Sequence, residues 1–247
     1  MTLDPVSRSL VAIDIEKYSS RDNLGQEELR KALRGVCEEA FTRIGVTPDA
    51  RQDQGDAFLF LIRPDVTKAS LVSDLVRELI TALRLSNRNW RPEARMRLRV
   101  AVHAGEVHLD GTGYAGESVV AVMRLIEADP LKDALRTAPD DLAVIVSEQM
   151  YRDVVRQGYR GIDPSDYARV HASRKEFAQP AWIRVPGTRP PEPRGSGVQP
   201  PAPVPGGMPL TWPATFNGPT SFGGHAAGRD VNISGRDLST GERPRDV

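Results

Sequence analysis

The chain has 247 residues, 39% of them hydrophobic and 27% charged, which is enough apolar sequence for a packed core. Its 33 Lys and Arg balance its 33 Asp and Glu, which argues against a protein built to coat nucleic acid or an anionic membrane. A single cysteine, Cys37, excludes an intrachain disulfide and a thiolate metal cluster.

The simple setting for such a chain is the reducing cytoplasm. No apolar run approaches the roughly 20 residues of a membrane span. The start, MTLDPVSRSLVAID, lacks the basic and apolar regions of a signal peptide.

In chain order, Ser9 to Ile15 (SLVAIDI) is an apolar run with one acid near its end and predicts a buried strand. Leu29, Leu33, Val36, Ala40 and Ile44 recur at spacings of three and four, predicting an amphipathic helix over 26–44. Ala57 to Ile62 (AFLFLI) predicts a second buried strand. Leu71, Leu75, Val76, Leu79, Ile80 and Leu83 predict a second helix that stops before Asn87. Met96 to Leu109 alternates like a strand with one buried face. Val119 to Ile126 predicts a helix ended near Pro130. Leu142 to Val146 predicts a strand, Glu148 to Val155 a short helix, and Val170 with Ala181 to Val185 a closing hairpin. The order β-α-β-α-β-α-β with a late hairpin predicts an α+β sandwich, with helices on a mostly antiparallel sheet.

Composition shifts at Pro186. Of 20 prolines, 12 lie from there on, with 11 of the 21 glycines. Proline lacks the N–H and glycine loses much entropy on ordering, so 186–210 predicts an extended linker. Residues 211–247 predict a low-complexity, disordered tail. Trp212, Phe216 and Phe222 are its large apolar anchors for a protein partner or self-association.

Two acids stand out. Asp14 lies in an otherwise apolar strand, and an unpaired buried carboxylate costs several kcal/mol, so it needs a partner. Asp56 follows Gly55 and precedes AFLFLI. Acids at strand ends fit a shared divalent cation with oxygen ligands. They equally fit a turn cap or an arginine pair.

LVAIDIEKYSS at 10–20, QGDAFLFL at 54–61, RLRVAVHAGEV at 97–107 and GYAGESVVAVMRLIEA at 113–128 occur in a fixed order. Together they resemble the catalytic domain of class III adenylate/guanylate cyclases over roughly 8–185, closest to short actinomycete cyclase-like proteins. The resemblance implies a ferredoxin-like cyclase sandwich. It also implies conversion of a nucleoside triphosphate to a 3′,5′-cyclic nucleotide and pyrophosphate, with two Mg²⁺ or Mn²⁺ ions per site. By that resemblance Asp14, Asp56 and the Ile15 carbonyl hold the metals. Backbone N–H groups of Glu16, Lys17, Tyr18 and Ser19 would cradle phosphates. Arg124 would contact the α-phosphate, though it also fits a helix-surface pair with Glu127 or Asp129. Lys175 or Arg174 would reach the outer phosphates. The implied assembly is a homodimer with shared sites, metals from one subunit and the arginine from the other.

The base-reading half departs from the purine pattern. The family's lysine falls on Gln52, its partner polar residue on Gly113, and its ribose-orienting asparagine on Val120. Either the base is not a purine, or the domain has lost turnover and senses a nucleotide, signalling through its tail.

Other signals are weaker. Gly111-Thr-Gly113-Tyr-Ala-Gly116 is a literal dinucleotide-loop pattern, but the cyclase motif covers the same residues. His103, His108, His171 and His225 lack metal-ligand spacing. Cys37 sits on the apolar face of the first helix and reads as core filler.

Overall fold

The computed structural model describes residues 4–109, 113–174, 177–188 and 190. The expected linker from 191 on, the tail, and Lys175 lie outside the described residues. The strands are β1 (Val6–Ile15), β2 (Ala50–Asp53), β3 (Ala57–Ile62), β4 (Leu98–Leu109), β5 (Tyr114–Ala115), β6 (Leu142–Ser147), β7 (Ala168–Arg174) and β8 (Phe177–Arg184). The helices are α1 (Asn23–Arg43), α2 (Lys68–Val72), α3 (Asp74–Asn87), α4 (Glu117–Ile126), α5 (Asp129–Thr137) and α6 (Glu148–Met150), which continues as a π-turn over Tyr151–Val155.

The strands form one sheet in the order β2-β3-β1-β4-β6-β8-β7, with β5 pairing β4. Only β4 and β6 run parallel; the other pairs are antiparallel. This is an α+β sandwich of the expected kind, with β1 and β4 central. Every residue from Ser9 to Ile15 is buried, because both faces of β1 are covered.

Alternation along β1 divides the core. Val11, Ile13 and Ile15 face α1, α2 and α3, packing with Leu33, Phe41, Leu75 and Leu79. Leu10 and Ala12 face α4 and α5, packing with Val122, Leu125, Leu131 and Leu135. A fully buried Leu or Ile contributes about 1.5–3 kcal/mol.

The expected second helix is two. α2 ends and α3 begins at Ser73, whose φ of −100° and ψ of −70° break the axis although the apolar spacing runs on. α4 ends at Ile126, short of Pro130 as expected, and Pro130 also lies in the first turn of a further helix, α5, where the missing N–H is no loss.

Candidate active site

Asp14 lies one residue from the end of β1, on the face that carries α4 and α5. Its register partners are Ala57 on β3 and Arg99 on β4. Asp56 immediately precedes β3, and its carbonyl accepts a 3.2 Å bond from the Ile15 N–H. The two acids and Ile15 are therefore brought to one end of neighbouring strands. Gly55 makes this placement possible: its φ of +92° turns the chain from β2 into β3, a conformation that favours glycine. Asp53 closes that turn by accepting from the Gly55 N–H at 2.9 Å.

The Asp14 carboxylate is 6% exposed and is paired with the Arg99 guanidinium. Arg99 reaches Asp14 through a terminal guanidinium nitrogen, while its Nε has no hydrogen-bond partner. Burial pushes the Asp14 carboxyl up to about 7 against the pull of Arg99, and the neighbouring charge of Asp56 raises it further. Lys132 on α5 also acts on it, in the lowering direction. So the arginine partner that a buried acid calls for is present, yet burial outweighs its pull on the carboxyl. Arg99 was not singled out in the sequence. The detectable signal is a cation within an apolar strand, but only the β1–β4 register shows which acid it meets.

Past Ile15 the chain leaves the sheet. The Glu16 N–H donates to the Arg97 carbonyl at 2.9 Å, and the Glu16 carboxylate pairs with Arg97 at 3.2 Å. Lys17 has a left-handed φ of 55°, uncommon for a side chain with a Cβ, and Tyr18 to Ser20 form a short 3-10 turn. Arg97 also donates to the carbonyls of Leu135, Ala138 and Asp140, tying this turn to the end of α5.

Gln52 and Gly113 are brought together. Both line a cavity of about 520 Å³ with Asp49, Arg51, Leu109 and Tyr114. Tyr114 closes its inner side, donating to the Leu59 carbonyl at 2.8 Å, and burial pushes its phenol up to about 12. Val120 and Arg124 lie one turn apart on α4. Val120 is 51% exposed. Arg124 faces Glu127 at 3.7 Å, the helix-surface pair that its spacing allows. α4 approaches β4 closely at Gly105, where a Cβ would collide with Ser118.

The donor set fits a hard divalent cation. Mg²⁺ is commonly bound by one or two carboxylates plus substrate phosphates, with water completing the shell. Asp14 and Asp56 supply two carboxylates close enough for the charge of one to act on the other. Among the described residues no cluster of three or more His, Cys, Asp or Glu side chains forms a metal cage. No helix among them is long and apolar enough to cross a membrane.

Solved cyclase domains share the architecture. An adenylate/guanylate cyclase/hydrolase from Silicibacter pomeroyi superposes with a TM-score of 0.53 at 17% identity, covering 75% of this chain and 99% of that one. The guanylyl cyclase Cya2 gives 0.53 at 18%, covering 78% and 98%. The adenylyl cyclase CyaB from P. aeruginosa gives 0.50 at 14%, covering 76% and 98%. No family model and no curated protein matches the sequence. The chain has the fold of adenylate/guanylate cyclase domains, as its four ordered motifs imply. At these identities the likeness establishes the fold, and the chemistry rests on the residues of the site.

Proposed function

We propose that the protein is a class III nucleotidyl cyclase, active as a homodimer with shared sites. The observation that carries this reading is the placement of Asp14, Ile15 and Asp56 at adjoining strand ends within a cyclase fold. Asp14 and Asp56 would hold Mg²⁺ or Mn²⁺, with the Ile15 carbonyl beside them. Held there, such ions would supply acidification of the attacking 3′-hydroxyl and charge neutralisation on the departing pyrophosphate. The turn from Glu16 to Ser19 positions the phosphates, Lys17, Tyr18 and Ser19 offering the backbone N–H groups nearest to them. Lys175 would add an outer-phosphate contact. Arg124, from the partner subunit, stabilises charge on the α-phosphate with a planar cationic fork. The cavity between Gln52 and Gly113 takes the base, with an amide where purine cyclases present a lysine.

A second reading is a nucleotide-sensing module without turnover. It is favoured by Val120, an apolar side chain where the family orients the ribose, and by Arg99, which already engages Asp14.

Complementation tests the shared site. Asp14→Asn and Arg124→Ala proteins should each be inactive, and their mixture should regain part of the wild-type rate, because one site of the heterodimer is intact. No recovery at any ratio, with heterodimers shown to form, contradicts the assignment of Arg124 to the partner.

A further inference from the structure

The helix α1 carries a run of cations that the cyclase chemistry does not use. Arg30, Lys31 and Arg34 share one side of the helix at spacings of three and four, where like charges repel by a few tenths of a kcal/mol. With Tyr18, Gln26 and Glu27 they line a groove of about 670 Å³, within the range of small-ligand sites. Farther along the same helix surface the arginines are matched: Arg43 pairs with Glu39 at 2.7 Å, and Arg51 on β2 pairs with Glu38 at 3.6 Å. In the groove Arg30 is paired with Asp53 at 2.8 Å, and the same carboxylate attracts Arg34 without pairing with it. Lys31 and Arg34 have no ion pair among the described residues, and Glu27 is the single acid of the lining.

The groove is not the phosphate half of the active site. Asp14 and Arg99 point to the α4 and α5 face of the sheet, with Ala12 and Ala101. Tyr18 packs with the core on the α1 side, the opposite face. The groove nevertheless touches both acid-bearing turns. Tyr18 lies four residues beyond Asp14, and Arg30 holds Asp53, which closes the Gly55 turn before Asp56.

We propose that this groove binds a diphosphate group, supplied by free pyrophosphate or by a nucleoside diphosphate. Arg34 and Lys31 receive the phosphate oxygens, Arg30 adds a guanidinium edge, and Tyr18 offers an aromatic face to a base. Through Tyr18 and the Arg30–Asp53 bond, occupancy bears on the placement of Asp14 and Asp56.

Calorimetric titration of the full-length protein in EDTA tests this without any turnover. Chelation removes any metal bridge between phosphate and the Asp14 and Asp56 carboxylates. Pyrophosphate and ADP are the probes. Both Lys31→Glu and Arg34→Glu are exposed substitutions expected to leave the circular dichroism unchanged, and each should weaken binding about tenfold or more, the loss of one charge-assisted hydrogen bond. Asp56→Asn should retain it. If ADP binds more tightly than pyrophosphate and Tyr18→Ala removes the difference, the ligand is a nucleotide; equal affinities, untouched by Tyr18→Ala, assign free pyrophosphate. No heat from either probe, or binding indifferent to both charge reversals, overturns the proposal.

Discussion

Arg99 on β4 and Asp14 on β1 are register partners, and the guanidinium of one is paired with the carboxylate of the other at the buried end of the sheet. The pair sits where the proposed chemistry needs a cation of a different kind. A metal ion at Asp14 must share the carboxylate with Arg99 or draw it away. The pair therefore makes the state without metal tolerable.

The raised Asp14 carboxyl makes the metal-free stability pH-dependent. Its folded value is about 7 against an ordinary 3.8, so between those values the folded protein holds a proton that the unfolded chain has released. Stability from this group is fully present below about pH 4 and is lost as pH rises through 7, on the order of 4 kcal/mol over the whole window. Urea denaturation in EDTA at pH 5 and pH 8 should show this fall in the wild type, and Asp14→Asn should flatten it. An equal pH dependence in both proteins would place the titration elsewhere.

Replacing Arg99 by Met removes the only cation paired with Asp14 among the described residues. At pH 8 this should cost about 3–5 kcal/mol, the usual penalty for stranding one buried charge. At pH 5, with Asp14 protonated, the loss should shrink to a fraction of that. Mn²⁺ should raise the melting temperature of Arg99→Met by more than that of the wild type, since no guanidinium competes for the carboxylate. Equal destabilisation at both pH values, with no added response to Mn²⁺, would show that Arg99 contributes by packing alone.

Gly105 sets how closely α4 lies against β4. A methyl group there meets the Ser118 hydroxyl, with His103 Nε2 and the Ser118 Cβ each 3.3 Å away. Gly105→Ala should destabilise by about 1–3 kcal/mol through overpacking. It should also displace the helix that carries Val120 and Arg124, lowering any turnover more than nucleotide binding. Pairing it with Ser118→Ala should recover part of both. A Gly105→Ala protein of unchanged stability would mean that α4 yields without cost.

The conformation at Gly55 has a separate consequence. A Cβ there meets nothing within 4 Å, so only the φ of +92° opposes a side chain. Gly55→Ala should cost about 1 kcal/mol and lower Mn²⁺ affinity, because the turn that delivers Asp56 must relax. Isothermal titration with Mn²⁺ reads this directly. Unchanged affinity would separate the turn from the metal.

What the sequence discloses follows from how each element is stabilised. β1 and β3 are buried on both faces, so SLVAIDI and AFLFLI read as continuous apolar runs. Asp14 is conspicuous there because a carboxylate within such a run demands a partner. By contrast, β2 (ARQD) is an edge strand with three of its four residues exposed, and carries no periodic signal. Proline 130 has two opposite meanings, helix stop and helix start, and only the position of the chain around it decides between them. The break at Ser73 leaves the apolar spacing of α2 and α3 intact, so spacing alone reads one helix. The Asp14–Arg99 pair depends on strand register, and so does the meeting of Gln52 with Gly113 across one cavity. Both are properties of the sheet rather than of any local motif.

Turnover leaves a product, and product analysis reads it. Purified protein is incubated with each of the four ribonucleoside triphosphates and Mn²⁺, and the products are resolved by mass spectrometry. A 3′,5′-cyclic nucleotide and pyrophosphate are expected from at least one triphosphate, and neither from the Asp56→Asn protein. Four intact triphosphates, with the protein folded and shown to bind one of them, would contradict the cyclase reading and leave the nucleotide-sensing module in its place.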